Sequence, residues 1–203
     1  MKQIFHKTSR NKSQIYVWKV VSAYDRLFKK SSLCKEELKA LEVIKSEKRK
    51  IEFLATRRAV KSIFGNNTIL KHHKTGQPYI EERQHISISH SKKFVVLAIG
   101  DESLGVDIEE PNEKILQVLP RILSKKEYEE FQRNPSTELA CKLWGAKEAV
   151  LKYVGNPKLN YREDIQLEEI EPVKVCCDDT KFHVEFENIE HMILTLVTSP
   201  PLH

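Results

Sequence analysis

Three acidic residues and one lysine carry the chemistry open to this sequence. Asp107 and Glu109 lie two apart in Leu104-Gly105-Val106-Asp107-Ile108-Glu109, where apolar and non-apolar residues alternate. That alternation predicts a half-buried β-strand with both carboxylates on one face, about 7 Å apart at the usual strand rise. Carboxylates that close repel each other unless a cation lies between them. A lone D-x-E is more often the solvated edge of a sheet. The second pair, Glu148 and Lys152, follows Trp144 at steps of four. On a helix that spacing puts all three on one face. Alone, Glu148 and Lys152 make an ordinary surface ion pair worth roughly 0.2–0.5 kcal/mol, and Trp144 a core aromatic.

The elements holding these residues can be read from periodicity. Gln14 to Val21 is rich in β-branched and aromatic residues and predicts a strand. Cys34 to Ile44 predicts a short helix. Ser46 then opens a longer one with Ile51, Leu54, Ala55, Ala59 and Ile63 on one stripe, and Gly65 closes it. Residues 66–80 read as a loop with a turn. His85 to His90, Phe94 to Ile99 and 104–109 predict a three-stranded antiparallel meander, with turns at Ser91-Lys92 and Asp101-Glu102-Ser103. After Pro111 the pattern is helical. Ser124 to Glu127 has the form of a capping box, and Ser136 to Gly155 a capped helix. Residues 165–170, 181–187 and 191–198 read as strands, the last two as a hairpin across Asn188-Ile189-Glu190.

Ser46–Gly65 and Ser136–Gly155 are both 20-residue stretches that start at Ser and stop at Gly, each followed by a pair of strands. This predicts an internal duplication. The expected fold is α+β, a pseudo-twofold pair of similar halves, 1–103 and 104–203, each with a small antiparallel sheet on a long helix. A ligand is expected at their junction.

Composition narrows the setting. No run of 18 uncharged apolar residues occurs, and MKQIFHKTSRNK has no signal-peptide core. The four cysteines form no C-x-x-C, against a zinc site or a disulfide framework. A cytoplasmic monomer is expected. Residues 1–74 hold 19 Lys and Arg against 6 Asp and Glu, whereas the rest hold 15 against 23. A basic half joined to an acidic one suggests a polyanion on one side and a cation on the other. The competing explanation is a nucleic-acid-binding module in residues 1–74.

LGVDIEE and KLWGAKEAVLK together resemble the signature pair of the 4′-phosphopantetheinyl transferases of the surfactin-synthetase-activating type. In that family G-[IV]-D-[IV]-E is followed some forty residues on by W-x-x-K-E-[AS]-x-x-K. SEKRKIEFLATRRAV resembles its basic first-half helix, TGQPYI its G-K-P loop, ISISHS its N-I-S-H-S strand, and LSKKEY the segment before its second helix. The resemblance implies transfer of the 4′-phosphopantetheine arm of coenzyme A to a serine of an acyl or peptidyl carrier protein, with release of 3′,5′-ADP. It implies Asp107, Glu109 and Glu148 as ligands of Mg²⁺ or Mn²⁺, whose preference for hard oxygen donors they suit. Glu148 would also serve as base, and Lys152 would sit by the pyrophosphate. Lys48, Arg57, Ser89 and His90 match the phosphate contacts, with His90 near the 3′-phosphate.

Three positions depart from the family pattern. Gln77 stands in the G-K-P loop where a lysine is usual, and Lys74 is the candidate substitute. Gly145 replaces a small hydroxyl or thiol residue, a change that loosens a helix by about 1 kcal/mol relative to Ala. The second basic residue of the first helix falls on Lys50 or Ile51. The carrier protein is expected to be acidic, meeting a basic and apolar surface formed partly by Ile115–Phe131. A family member that binds coenzyme A without catalysis is the remaining alternative, against which stand the three acids.

Overall fold

The computed structural model describes residues 1–21, 23–29, 32–81, 84–91 and 93–200. The chain opens with an antiparallel pair, β1 (Lys2–Thr8) and β2 (Gln14–Lys19). Two short helices follow, α1 (Tyr24–Lys29) and α2 (Lys35–Glu42), and then the long α3 (Glu47–Phe64). Ser46 caps α3 by accepting the Arg49 amide, and Gly65 ends it at φ 98°, a backbone that side chains resist. The segment expected as a plain loop pairs β3 (Lys71–His72) with β4 (Pro78–Tyr79). Next come β5 (His85–Ser91) and β6 (Phe94–Gly100), which pair antiparallel. The turn assigned to Ser91-Lys92 falls partly outside the described residues, since Lys92 is not among them.

The second half begins with β7 (Leu104–Glu109), followed by α4 (Glu113–Ile122), α5 (Lys125–Phe131) and α6 (Thr137–Val154). Ser124 and Glu127 form the expected capping box. Ser136 caps α6, and Gly155 closes it at φ 69°. The remaining strands are β8 (Ile165–Ile170), β9 (Val173–Cys177), β10 (Thr180–Lys181), β11 (His183–Ile189) and β12 (Met192–Thr198).

The expected meander is corrected. One sheet has the order β1-β2-β6-β5, a second β11-β12-β7, and a third β10-β9-β8. β7 pairs with β12, placing Thr195 opposite Asp107, and not with β6. Both edges of β6 are already taken, by β2 and β5. The chain therefore crosses at Asp101–Ser103 from one sheet to another. Nor is β7 half-buried: Leu104 to Ile108 is buried on both faces.

The reason lies in the layering. Along β6, Val95, Leu97 and Ile99 pack with Leu54, Ala55, Ala59 and Val60 of α3. The alternate residues Phe94, Val96 and Ala98 pack with Leu104, Val106 and Ile108 of β7 and Leu194 and Leu196 of β12. Behind β12, Ile193 and Val197 join a core with Ala149 and Val150 of α6. The layers run helix, sheet, sheet, helix. The two halves thus share one design: an antiparallel sheet on an 18-residue helix capped by Ser and closed by Gly.

Part of the charge asymmetry is consumed between the halves. Lys7 of β1 pairs with Glu185, 3.2 Å away, and with Glu187, while Lys19 reaches Glu190 at 2.6 Å. Among the described residues, no helix is long and apolar enough to cross a membrane.

Candidate active site

Two glycines set how closely β7 and α6 approach. A Cβ on Gly105 would stand 1.8 Å from the Ala149 carbonyl oxygen, so no side chain fits there. A Cβ on Gly145 would lie 2.5 Å from Thr195 Oγ1 and 3.8 Å from Asp107 Oδ2. Gly145 therefore makes room for Thr195 of β12, with the Asp107 carboxylate at ordinary contact distance. Its low helix propensity accompanies that close approach.

On the other side β5 lies along the edge of β7, and its alternate serines replace a backbone ladder. Ser87 Oγ accepts the Val106 amide at 3.0 Å. Ser89 Oγ donates to Asp107 Oδ1 at 2.8 Å, and Ser91 Oγ donates to Glu109 Oε2 at 3.0 Å. The HISISHS alternation thus sends Ile86 and Ile88 into the α3 core and serines to both acids of β7. Ser89, expected as a phosphate contact, holds Asp107 here; Ser87 and Ser91 had no role assigned from sequence.

Helix α6 brings in the remaining groups. Lys152 does not pair with Glu148 one turn earlier. Its Nζ donates to Asp107 Oδ1 at 2.8 Å and to the Val106 carbonyl at 2.9 Å. Glu148 Oε1 accepts from the Tyr161 hydroxyl at 2.5 Å, and the Tyr161 ring stacks on Trp144. Lys147 is fully buried and donates to Glu127, Tyr161 O and Ile165 O. Glu127 in turn accepts the Leu167 amide. This cluster fastens α6 to α5 and to the start of β8. Tyr161 was missed in the sequence, since it lies in an aperiodic polar segment; a lone aromatic there was the available signal.

Burial pushes the carboxyl of Glu109 up from its ordinary value, and Asp107 pushes it further, against the Ser91 bond. Burial likewise raises Glu148, while the Tyr161 hydrogen bond opposes it. The Tyr161 hydroxyl is raised by burial and by its bond to Glu148. Asp107 Oδ2 is buried and accepts no hydrogen bond. Among the described residues no group of three His, Cys, Asp or Glu side chains is arranged to hold a metal ion, and Lys152 holds Asp107. A cluster of crowded carboxylates with one orphaned oxygen nevertheless suits a hard divalent cation.

A basic cleft lies beside this cluster in the first half. Its cavity of about 380 Å³ is lined by Arg49, Phe53, Arg57, His72 and His90, among others. The Arg57 guanidinium lies 3.6 Å from the centroid of Phe53. Burial pulls it down to about 10, with Glu37 opposing, so it stays charged at neutral pH. Burial also lowers His72. His90 projects toward Glu52, with Nδ1 3.8 Å from Oε1. A second cavity, of about 250 Å³, shares Gly76, Pro78 and Ile88 with the first and reaches Lys152.

Arg57 and His90 thus stand together in one cleft. Lys48 is exposed and lies 3.7 Å from Glu52, which lines the cavity together with Arg49. Lys74 is exposed in the turn between β3 and β4. Gln77 donates from Nε2 to the Lys152 carbonyl at 3.1 Å, capping the end of α6 from the other half. Of the segment Ile115–Phe131, Ile115, Leu119, Ile122, Leu123 and Phe131 are buried in the core, while Leu116, Val118 and Tyr128 are half-buried. Amphipathic helices turn that face inward.

Residues 103–195 match the family model described as the 4′-phosphopantetheinyl transferase superfamily. The chain is similar to the 4′-phosphopantetheinyl transferase gsp of Aneurinibacillus migulanus, with 29% identity over 99 residues, 47% of this chain and 42% of that protein. It is also similar to a 4′-phosphopantetheinyl transferase of Bacillus subtilis, 33% identical over 85 residues. The protein named Sfp of Bacillus subtilis strain 168 is 32% identical over 85 residues. These two matches each cover 39% of this chain and 38% of the relative. The chain thus spans about two fifths of the length of the curated relatives it matches.

Proposed function

We propose, since residues 103–195 match the family model of the 4′-phosphopantetheinyl transferase superfamily, that the protein transfers the 4′-phosphopantetheine arm of coenzyme A to a serine of an acyl or peptidyl carrier protein. The observation that carries this reading is the convergence on Asp107. Ser89 and Lys152 hold one carboxylate oxygen, the other is buried and unpaired, and Glu109 and Glu148 stand close enough to affect its neighbourhood. The runner-up, nucleic-acid binding, is weakened because Lys7 and Lys19 are engaged by acids of the second half.

In the proposed reaction the carrier serine Oγ attacks the β-phosphorus of coenzyme A. A new P–O bond forms, the phosphoanhydride bond breaks, and 3′,5′-ADP leaves. Glu148 takes the serine proton, directly or through water. Lys152, charged beside a carboxylate, offsets negative charge gathering on the leaving nucleotide. Asp107, Glu109 and Glu148 would hold a divalent ion, which when bound would supply further neutralisation of the pyrophosphate. The chain has no Gly-rich phosphate loop, so Arg57, Arg49 and His90 are assigned to the nucleotide phosphates. The test is mass spectrometry of an apo carrier protein incubated with enzyme, Mg²⁺ and coenzyme A. The expected result is a gain of one phosphopantetheine arm, absent with Asp107→Ala. No gain on any carrier tested, with coenzyme A binding intact, favours the non-catalytic alternative.

A further inference from the structure

We propose that Tyr161 is a positioning residue whose phenol fixes the Glu148 carboxylate for the transfer reaction. This rests on the reading of the site given above. Tyr161 lies between α6 and β8, in a segment with no helix or strand of its own. Three separate contacts pin it to one face of α6. Its hydroxyl donates to Glu148 Oε1 at 2.5 Å. Its ring stacks on Trp144, with centroids 5.7 Å apart and planes 26° apart. Its carbonyl accepts from Lys147 Nζ at 2.6 Å. Lys147 is itself held by Glu127 and by the Ile165 carbonyl, so the anchor is rigid.

The consequence concerns Glu148 and Lys152. Residues four apart on a helix reach each other and pair readily when their charges are opposite. Here they do not. The phenol occupies Oε1 of Glu148, and Lys152 crosses to Asp107 and Val106. A hydrogen bond from a hydroxyl to a carboxylate at this length lies at the strong end of the range. A phenol has one proton to give, so it engages one carboxylate oxygen without competing for the other. Tyr161 thereby keeps base and ammonium apart and stops them from neutralising each other along the helix.

Tyr161→Phe tests this, because it preserves the stack on Trp144 and the carbonyl bond while deleting the hydroxyl. Two readouts are taken: Mn²⁺ binding to the protein without coenzyme A, by EPR titration, and steady-state transfer kinetics. Partners that orient metal ligands typically carry about 10- to 100-fold in affinity or activity. The expected result is Mn²⁺ affinity and kcat each reduced about 10-fold, with the KM for coenzyme A and the Tm unchanged. In a Glu148→Gln background the same substitution is expected to change Mn²⁺ affinity no further. Wild-type Mn²⁺ affinity and kcat in Tyr161→Phe would overturn the proposal, as would a lowered Tm with unchanged Mn²⁺ binding. If wild-type protein transfers no arm to any carrier, the proposed function fails, while the Mn²⁺ comparison still decides the role of Tyr161.

Discussion

Lys152 Nζ stands 2.8 Å from Asp107 Oδ1, while Glu148, one turn earlier on the same helix, is bound to Tyr161. The ammonium therefore occupies the carboxylate expected to bind a divalent ion. Two cations on one carboxylate repel each other. Lys152→Met is predicted to act in opposite directions on two measurements. Mn²⁺ should bind more tightly, because the repulsion is gone. The transfer rate should fall by about 10²-fold, the scale of losing one charge-stabilising donor. EPR titration and single-turnover kinetics check the two arms; weaker Mn²⁺ binding would show that the lysine helps to organise the acids.

The glycine of the helix offers a contest between two effects of known sign. Helix propensity alone favours Gly145→Ala by about 1 kcal/mol. Packing opposes it, since the added Cβ falls 2.5 Å from Thr195 Oγ1, and Thr195 is buried. Overpacking costs about 1–3 kcal/mol, so the variant is predicted to be destabilised on balance. Gly145→Ala with Thr195→Ala should regain part of the loss. Gly105→Ala should be worse than either, because there the obstacle is the Ala149 backbone at 1.8 Å. Urea unfolding midpoints rank the three.

These glycines also mark the limit of what the sequence discloses. The acids Asp107 and Glu109, and Glu148 with Lys152, are legible because their spacing is local and periodic. So are the two long helices, whose Ser and Gly boundaries recur in the structure. The partner of β7 is not legible. Choosing β12 over β6 depends on which edges are free, which is a tertiary matter. Arg49 was legible only as a candidate: Arg49, Phe53 and Arg57 follow at steps of four, and all three line the basic cleft. Lys48 precedes Glu52 and Thr56 at steps of four, and these also line the cleft, so helical phase alone does not choose between Lys48 and Arg49. Tyr161 required the three-dimensional packing of an aperiodic segment.

The difference in burial between Arg57 and Lys48 gives a direct prediction for nucleotide binding. Arg57 is held on the face of Phe53, with its buried Nε 3.9 Å from Glu37 Oε1, so its guanidinium is preorganised in the cleft it lines. Charged hydrogen bonds from a guanidinium to a phosphate contribute about 1.5–3 kcal/mol. Arg57→Ala is predicted to weaken coenzyme A binding by about 10- to 100-fold, and Arg57→Lys to recover little of it, since an ammonium lacks the planar fork. Lys48→Ala should change affinity by less than about twofold, in keeping with a solvated ion pair. Isothermal titration with coenzyme A and with its 3′-dephospho form checks both. Equal losses from Lys48→Ala and Arg57→Ala would place the phosphate elsewhere.

Cys141, buried in α6 beneath the acids, gives a pH prediction. Burial first, then Glu109 and Asp107, pushes its thiol up to about 12. In the unfolded chain the thiol ionises near its ordinary value, about 8.5. Above that pH the unfolded state sheds a proton that the folded state keeps. The stabilisation is therefore complete below the unfolded value and is lost progressively as pH rises toward the folded one. Wild-type protein is predicted to lose stability on this limb, and Cys141→Ala to lose less of it. At pH 8 the native thiol should react with iodoacetamide only as fast as the protein opens, because the thiolate is the nucleophile. Peptide mapping of alkylation with and without urea isolates Cys141 from the other three cysteines. Rapid native labelling at pH 8 would mean that the face of α6 toward β7 is open to solvent.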